Sequence, residues 1–270
     1  MAIETALGKV HYIIGPPGTG KTTAIAAMVR EAVTTYGVDR VAVCSLTRTA
    51  AYEAAGHVDL PPEQIGTLHS FAYQALAGLG CRVTLVYDQL DEWNQRYPHW
   101  AMTVHPRHTR GEFVPQMEED HGRRGDALLS AYNILRARCQ PTESASSALR
   151  TFIQQWHAWK MAEGLRDYTD LLCDALTQTT IMPHAPSVLY CDEAQDFSCL
   201  AMRLIDHWRR HIAQVYLVGD PLQCHPADTM IATQRGNVAI AALLPNDGLL
   251  TYDRSGATIV GWKKAFPAIR

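Results

Sequence analysis

The chain has 270 residues, of which 47% are hydrophobic and 19% are charged, a composition that favours an ordered globular protein over a disordered one. This length is enough for one large domain or two small ones. The formal net charge of −3 at pH 7 excludes a broadly basic coat for nucleic acid, although a local groove of Lys and Arg can still bind phosphates.

The N-terminal residues, the length of the apolar runs and the cysteines together indicate a cellular compartment. The N-terminus lacks the basic start and apolar core of a signal peptide, and no later run approaches the roughly 18 apolar residues of a membrane span. We therefore expect a cytoplasmic protein with no membrane partner. Scattered cysteines without a Cys-x-x-Cys pair favour reduced thiols. The seven are Cys44, Cys81, Cys139, Cys173, Cys191, Cys199 and Cys224.

The first predicted elements are a short strand, a glycine-rich turn and an alanine-rich helix, in VHYIIGPPGTGKTTAIAAMV at residues 10–29. Glycines let the backbone N–H groups curl toward phosphate oxygens, and the helix N-terminus adds partial positive charge. Lys21 can then reach the β- and γ-phosphates, and Thr22 can ligate Mg²⁺. The predicted nucleotide site consists of Gly15, Pro16, Pro17, Gly18, Thr19, Gly20, Lys21, Thr22 and Thr23.

Two later strands are predicted to end in polar residues beside this site. In SVLYCDEAQD (187–196), Asp192 would hold Mg²⁺ and Glu193 would accept a proton from the attacking water. An acidic strand end is more often a plain helix N-cap, but this one follows a phosphate loop in the same chain. In QVYLVGDPLQ (214–223), Gln223 is placed to sense the γ-phosphate.

Six segments come in the order and rough spacing of superfamily 1 helicases of the UvrD/Rep type, and the resemblance spans nearly all of residues 9–223. They are GPPGTGKTT (15–23), SLTRTAA (45–51), IGTLHSFAYQAL (65–76), GLRDYTDLL (164–172), DEAQD (192–196) and GDPLQ (219–223). The resemblance implies an α/β fold, a RecA-like P-loop domain with a parallel sheet. It also implies ATP hydrolysis with Mg²⁺ coupled to stepping along single-stranded DNA.

The same resemblance assigns roles beyond the nucleotide. Thr47, Arg48, Thr67 and His69 would face the DNA backbone, and Gln195 would couple hydrolysis to movement. Hydroxyl and N–H contacts to phosphates fix position without reading sequence, as a translocase needs. Alternatively, Thr67 and His69 simply cap the helix that follows them.

Residues 80–163 lose the strand pattern, and the resemblance implies an inserted, mainly helical subdomain here. Trp156 and Trp159 stand at helical spacing, which favours core positions over base-stacking platforms. The polar stretch in this region is interpreted as a solvated loop rather than a metal site, because its histidines have no Cys or paired carboxylate at ligand spacing. These histidines are His99, His105, His108 and His121.

The chain departs from the helicase pattern in two places. No Gln precedes the phosphate loop to read adenine, so base selectivity for ATP is not indicated. The family normally continues as Gln-Ser-Ile-Tyr after the third segment and then adds a second RecA-like domain with an arginine against the γ-phosphate. Arg254 does not match that arginine in spacing or neighbours.

From Cys224 onward, strand-length apolar runs alternate with Gly, Asn and Asp turns, which predicts an all-β unit. CHPADTMIATQRGNVAIAALLPNDGLLTYD (224–253) resembles the start of an intein. The resemblance implies that Cys224 attacks the Gln223 carbonyl to form a thioester. The alternative is a β-rich tail that is unrelated to inteins and in which Cys224 has no catalytic role.

The Thr-x-x-His and terminal His-Asn elements of a complete intein are absent. We therefore expect a helicase ATP-binding domain (1–223) fused to a split-intein N-fragment (224–270). A second polypeptide would carry the intein C-piece and the remaining helicase domains, and interrupted replication genes of this kind are typical of phages. The other readings are a free-standing P-loop module that binds ATP and DNA without splicing, and a truncated product with no activity.

Overall fold

A computed structural model describes residues 8–15, 19–56, 58–104, 123–220, 230–233, 236–239, 248–252 and 259–264. The chain forms two compact units, Met1–Asp220 and Pro221–Arg270. The junction predicted between Gln223 and Cys224, and Arg254, lie outside the described residues. Every helix in the described ranges is too short or too polar to pass through a lipid bilayer.

The first unit alternates strands with helices. Its strands are β1 (Lys9–Ile14), β2 (Val41–Ser45), β3 (Ile65–Thr67), β4 (Thr84–Leu85), β5 (Leu165–Arg166), β6 (Val188–Cys191) and β7 (Gln214–Gly219). Its helices are α1 (Lys21–Tyr36), α2 (Arg48–Ala55), α3 (Leu68–Gly78), α4 (Leu90–Arg96), α5 (Arg124–Ala137), α6 (Ser147–Glu163), α7 (Tyr168–Gln178) and α8 (Cys199–Trp208).

Five of these strands form one parallel sheet in the order β1-β7-β6-β2-β3. The predicted α/β fold with a parallel sheet is therefore confirmed. Every residue of β2 and of β6 is buried, as expected for central strands that helices cover on both faces. One face packs against α3, α7 and α8, and the other packs against α1 and α2.

Polar residues set where the helices begin. A side-chain oxygen accepts a hydrogen bond from a backbone N–H of the first turn at five helix starts, which satisfies a donor that the helix itself leaves unpaired. These N-caps are Thr47, Thr67, Ser146, Asp167 and Ser198. The start of each of these helices is thus fixed by local sequence.

The region predicted to be an inserted helical subdomain contains α4, α5 and α6 around a hydrophobic core of its own, here called the insert core. Trp156 and Trp159 are 0% and 1% exposed, so their predicted core role is confirmed. His99 is exposed beside this core, and the other three histidines of the predicted polar loop lie outside the described residues.

A buried ionic cluster joins the insert helices to α7. Asp167 is 0% exposed and accepts hydrogen bonds from Lys160 Nζ at 2.7 Å and Arg136 Nη2 at 2.8 Å. Asp170, one turn along α7, also pairs with both cations. Burial alone would raise the pKa of Asp167, but Lys160 and Arg136 outweigh burial, and the pKa is lowered. The cluster fixes how α5 and α6 meet α7.

The second unit contains an antiparallel sheet in the order β11-β10-β8-β9. Its strands are β8 (Met230–Thr233), β9 (Gly236–Ala239), β10 (Gly248–Tyr252) and β11 (Ile259–Lys264). β8 pairs with β9 from Met230 with Ala239 to Thr233 with Gly236.

Candidate nucleotide-binding site

The phosphate loop begins at the C-terminal end of β1 and leads into α1. Gly15 N–H donates to the Gly219 carbonyl at 3.3 Å, which holds the start of the loop against the end of β7. Gly20 precedes α1 with φ of +79°, a left-handed conformation that favours glycine. Pro16, Pro17 and Gly18 lie outside the described residues.

Lys21 is the first residue of α1, and its ammonium reaches back to the residue at which the phosphate loop begins. Lys21 Nζ donates to the Gly15 carbonyl oxygen at 2.6 Å. Thr22 and Thr23 follow in the first turn of α1 and are exposed. The positive charge of Lys21 thus lies at a helix N-terminus, where backbone N–H groups also favour an anion.

Asp192 lies directly after β6 and is 5% exposed. Its N–H donates to the Cys44 carbonyl at 2.8 Å, which extends the pairing between β6 and β2. Burial raises the pKa of the Asp192 carboxyl and prevails over the hydrogen bond from the Glu193 backbone, which lowers it; the Glu193 charge raises this pKa and the Lys21 charge lowers it. A carboxyl held this way gains from a nearby cation, because a cation stabilises its ionised form.

Thr22 and Asp192 offer a hydroxyl and a carboxylate, which are oxygen donors of the kind that Mg²⁺ binds. No group of three or more His, Cys, Asp or Glu side chains in the described part of the chain is arranged to hold a metal. Mg²⁺ commonly takes only one or two protein ligands and completes its shell with phosphate oxygens and water. Thr22 and Asp192 would be those protein ligands.

Glu193 adopts a left-handed backbone conformation with φ of +52°, which is uncommon for a residue other than glycine. Such conformations persist only where surrounding contacts hold them. Gln195 supplies one such contact, since its Nε2 donates to Glu193 Oε2 at 2.7 Å. The carboxylate predicted to act as base is thereby held by the next polar residue along the chain.

Gln195 also reaches the neighbouring strand end. Its Oε1 accepts a hydrogen bond from the Asp220 N–H at 3.0 Å. A Cβ at Gly219 would lie 2.1 Å from the same oxygen, so only glycine allows this approach. Asp220 itself is 2% exposed. Neither Gly219 nor Asp220 was predicted as a site residue, and their only signal is their place within GDPLQ.

The four residues predicted to contact DNA follow the C-terminal ends of strands β2 and β3. The nucleotide-site residues follow the C-terminal ends of β1 and β6 in the same parallel sheet, so both groups lie on the same side of it. Ser45 pairs with Thr67, so β2 and β3 end side by side, and α2 and α3 start directly after them. Thr47 Oγ1 accepts from Ala50 N–H at 3.1 Å. Arg48 is exposed at the first position of α2.

The alternative role of Thr67 as a helix cap is observed. Thr67 Oγ1 accepts from Ser70 N–H at 3.2 Å, whereas His69 makes no cap and packs edge-on against Tyr168, with ring centroids 5.9 Å apart. Burial lowers the pKa of His69, which favours its neutral form. Capping uses only one lone pair of a hydroxyl oxygen, so it does not exclude a contact with phosphate. Gln223 and Cys224 lie outside the described residues.

Comparison with known proteins agrees with this geometry. The family model described as AAA domain matches residues 1–228, which is more than half of the chain. A search of curated proteins found no match. The match accounts for the phosphate loop and the parallel sheet as those of a P-loop nucleotide-binding domain. The chain therefore belongs to the AAA domain family.

Proposed function

We propose that this chain is the N-terminal motor half of an ATP-dependent DNA helicase or translocase of the UvrD/Rep type. A second polypeptide completes it by protein trans-splicing through Cys224. The observation that carries the motor assignment is the double contact of Gln195, which binds both Glu193 and the backbone of Asp220. A phosphate loop, an acidic pair and a polar link between strand ends are the parts that a hydrolysing motor needs.

The nucleotide chemistry follows from the strand ends. Backbone N–H groups of the phosphate loop and Lys21 hold the phosphates of ATP, while Thr22 and Asp192 hold Mg²⁺. Mg²⁺ held by Thr22 and Asp192 would supply positive charge against the negative charge that builds up on the phosphates. Glu193 accepts a proton from the water that attacks the γ-phosphorus, and ADP leaves in line.

Movement would follow from contacts at neighbouring strand ends. Gln223 senses loss of the γ-phosphate, and Gln195 transmits the change because it already joins the ends of β6 and β7. Single-stranded DNA lies across the starts of α2 and α3, against Thr47, Arg48, Thr67 and His69. This arrangement is supported by the parallel pairing of β2 and β3, whose C-terminal ends lie side by side.

Splicing explains the break in pattern after Gln223. The Cys224 thiolate attacks the Gln223 carbonyl carbon, the C–N bond breaks, and the Cys224 nitrogen leaves as a protonated amine. The acyl group then passes from sulfur to a Ser hydroxyl at the head of the downstream segment, and the thiol is regained. Support comes from the intein-like residues 224–253 and from the antiparallel sheet after the junction.

One observation favours the alternative of a free-standing ATP- and DNA-binding module. The family match runs to residue 228, across the predicted junction. An uninterrupted module would neither splice nor need a partner.

A mixing experiment separates the two functions. The probe is the polypeptide whose sequence begins intein-like and continues into Ser-Ile-Tyr. Trans-splicing predicts a product of the joined mass, lost in Cys224→Ala, whereas a free-standing module gives no product in either case. Vigorous unwinding of DNA by the isolated chain would contradict the half-motor assignment.

Nucleotide binding is tested separately. Lys21→Ala should weaken binding of a fluorescent ATP analogue by about 100-fold or more, because a charge-assisted contact to phosphate is lost. Lys9→Ala, at an exposed lysine of β1, is the matched control and should bind normally. Unchanged binding by Lys21→Ala would refute the phosphate-loop assignment.

A further inference from the structure

A serine hydroxyl at the end of β2 is buried without a hydrogen-bond partner. Ser45 is 1% exposed, and its Oγ makes no hydrogen bond within the part of the chain that the structure describes. Burying a hydroxyl without a partner is costly, so native proteins keep few such groups, and those few often serve a function. The position of Ser45 in the sheet identifies the group with which it can pair.

The pairing of β2 with β6 places Ser45 beside Asp192. The parallel register of the two strands ends with the pair of Cys44 and Cys191. Asp192 N–H then donates to the Cys44 carbonyl at 2.8 Å, which continues the same register by one residue. Ser45 and Asp192 are therefore side-by-side neighbours on adjacent strands, which lie about 4.8 Å apart in a sheet.

Alternation along the two strands directs both side chains to one face of the sheet. Cys44 and Cys191 pack on the face that α3, α7 and α8 cover. Successive side chains of a strand point to opposite faces. Ser45 and Asp192 are therefore directed to the other face, where α1 and α2 pack.

The candidate magnesium ligands lie on this same face. Tyr190, two positions before Asp192, donates from its hydroxyl to the Met28 carbonyl of α1 at 3.0 Å. Thr22 stands in the first turn of α1. The unpaired hydroxyl of Ser45 is thus on the side of the sheet that α1 covers, next to the carboxylate after β6.

An ionised carboxylate at Asp192 has more lone pairs than one cation uses. The group only accepts hydrogen bonds, and its two oxygens offer about four lone-pair sites. Asp192 is 5% exposed, so bulk water reaches few of them. Carboxylates that ligate a metal in proteins are usually hydrogen-bonded to neighbouring donors, which fix their orientation. The Ser45 hydroxyl is a neighbouring donor that the described contacts leave unused.

The neighbour of Ser45 on the other side is a weaker acceptor. Ser45 pairs with Thr67 across β3, but Thr67 Oγ1 already accepts from the Ser70 N–H. A hydroxyl oxygen is neutral, whereas hydrogen bonds to an ionised carboxylate are about twice as strong as neutral ones. Asp192 is therefore the preferred acceptor once its carboxylate is ionised.

We propose that Ser45 is a positioning residue of the magnesium site, whose hydroxyl donates to the ionised Asp192 carboxylate when a nucleotide and Mg²⁺ are bound. This inference rests on the proposed function, because it takes Asp192 as a magnesium ligand. The hydrogen bond would restrict rotation of the carboxylate and leave its other lone pairs for the cation. Ser45 itself touches neither the nucleotide nor the metal in this arrangement.

Binding of Mn²⁺ in the presence of ADP tests this role without measuring activity. Mn²⁺ takes the same oxygen ligands as Mg²⁺, and its binding is followed by electron paramagnetic resonance. Ser45→Ala should weaken Mn²⁺ binding about 10-fold, whereas Ser45→Thr, which restores the hydroxyl, should stay within about 3-fold of the unchanged chain. Asp192→Asn should weaken Mn²⁺ binding by about 10-fold or more. Binding of ADP in the presence of a chelator should be equal in all of these chains.

A matched control removes a hydroxyl at the opposite end of β6. Ser187 Oγ accepts a hydrogen bond from Arg40 Nε at 3.1 Å, just before that strand begins. Ser187→Ala should change Mn²⁺ binding by less than about 2-fold. A loss equal to that of Ser45→Ala would mean that any hydroxyl removed from this part of the sheet disturbs the site, and it would overturn the inference.

Thermal unfolding of the metal-free chain separates this role from a purely structural one. Ser45 Oγ has no described partner without the metal, so Ser45→Ala should leave the Tm within about 1 °C or raise it. A fall of about 4 °C or more would show that the hydroxyl already stabilises the metal-free fold, and it would overturn the inference.

The remaining outcomes distinguish failure of the inference from failure of the proposed function. If ADP does not promote Mn²⁺ binding, or if Asp192→Asn binds Mn²⁺ normally, the proposed magnesium site is overturned together with this inference. If Mn²⁺ binding depends on Asp192 but not on Ser45, the inference alone is overturned. The same holds if Ser45→Thr fails to restore the binding that Ser45→Ala loses.

Discussion

Gln195 Oε1 accepts a hydrogen bond from the Asp220 N–H at 3.0 Å, so one side chain after β6 holds the backbone at the end of β7. The amide nitrogen of the same side chain donates to Glu193 at 2.7 Å. A displacement at the end of β6 or of β7 would therefore move the side chain of Gln195 and, through it, the Glu193 carboxylate. This geometry allows a change at the nucleotide to reach the residues that follow β7.

The first prediction concerns this link. Gln195→Ala leaves the Asp220 N–H without its side-chain acceptor and should lower the free energy of unfolding by about 1 kcal/mol. Nucleotide affinity should change by less than about 3-fold, whereas the DNA-stimulated ATPase of the proposed completed motor should fall by about 100-fold. Gln154→Ala, at an exposed residue of α6, is the control for urea unfolding and ATPase. Wild-type ATPase in Gln195→Ala would disprove the coupling role.

A second prediction tests the close approach at Gly219. Gly219→Ala would place a methyl group 2.1 Å from Gln195 Oε1, so the Gln195 side chain must move. We expect a loss of about 1–3 kcal/mol in the free energy of unfolding. Gly78→Ala adds the same methyl group where no atom lies within 4 Å. It should be neutral or stabilise by up to about 1 kcal/mol, and equal effects of the two variants would contradict the packing argument.

The third prediction concerns the ionic cluster between the insert helices and α7. Asp167→Asn removes the charge that Lys160 and Arg136 share and should cost about 3–5 kcal/mol in chemical denaturation. Asp174→Asn breaks a partly exposed pair with Arg166 and should cost less than about 1 kcal/mol. A similar loss of unfolding free energy in the two variants would mean that burial does not set the strength of the ionic cluster.

The fourth prediction is the pH dependence of that cluster. The pKa of Asp167 is lowered in the folded state, so the unfolded state takes up the proton first as the pH falls. The stability contributed by Asp167 is complete above the unfolded carboxyl pKa of about 3.9 and is lost progressively below it. Asp167→Asn should therefore flatten the fall in unfolding free energy between about pH 4 and pH 2. An unchanged slope would show that other carboxylates set acid stability.

Local sequence was enough to predict much of the fold and the phosphate loop. The apolar strand, glycine turn and unbroken helix around Lys21 are specified by neighbouring residues, and the spacing of Trp156 and Trp159 indicated a buried helix face. Each of these features depends on residues within one or two helical turns.

The rest depends on contacts between distant residues. Gln195 and Asp220 are 25 positions apart, and their contact follows from the order in which β6 and β7 pair, which no local pattern specifies. The same applies to β1, whose position at the edge of the sheet depends on the other strands. Gly236, a turn residue by type, lies in β9 because it pairs with Thr233 across the sheet.

The insert core has a spectroscopic consequence. Four of the six tryptophans, Trp93, Trp100, Trp156 and Trp159, pack together there. Intrinsic fluorescence of this chain therefore arises largely from the insert and not from the nucleotide pocket. A shift in the emission maximum would register opening of the insert helices directly, and it would do so without any attached dye.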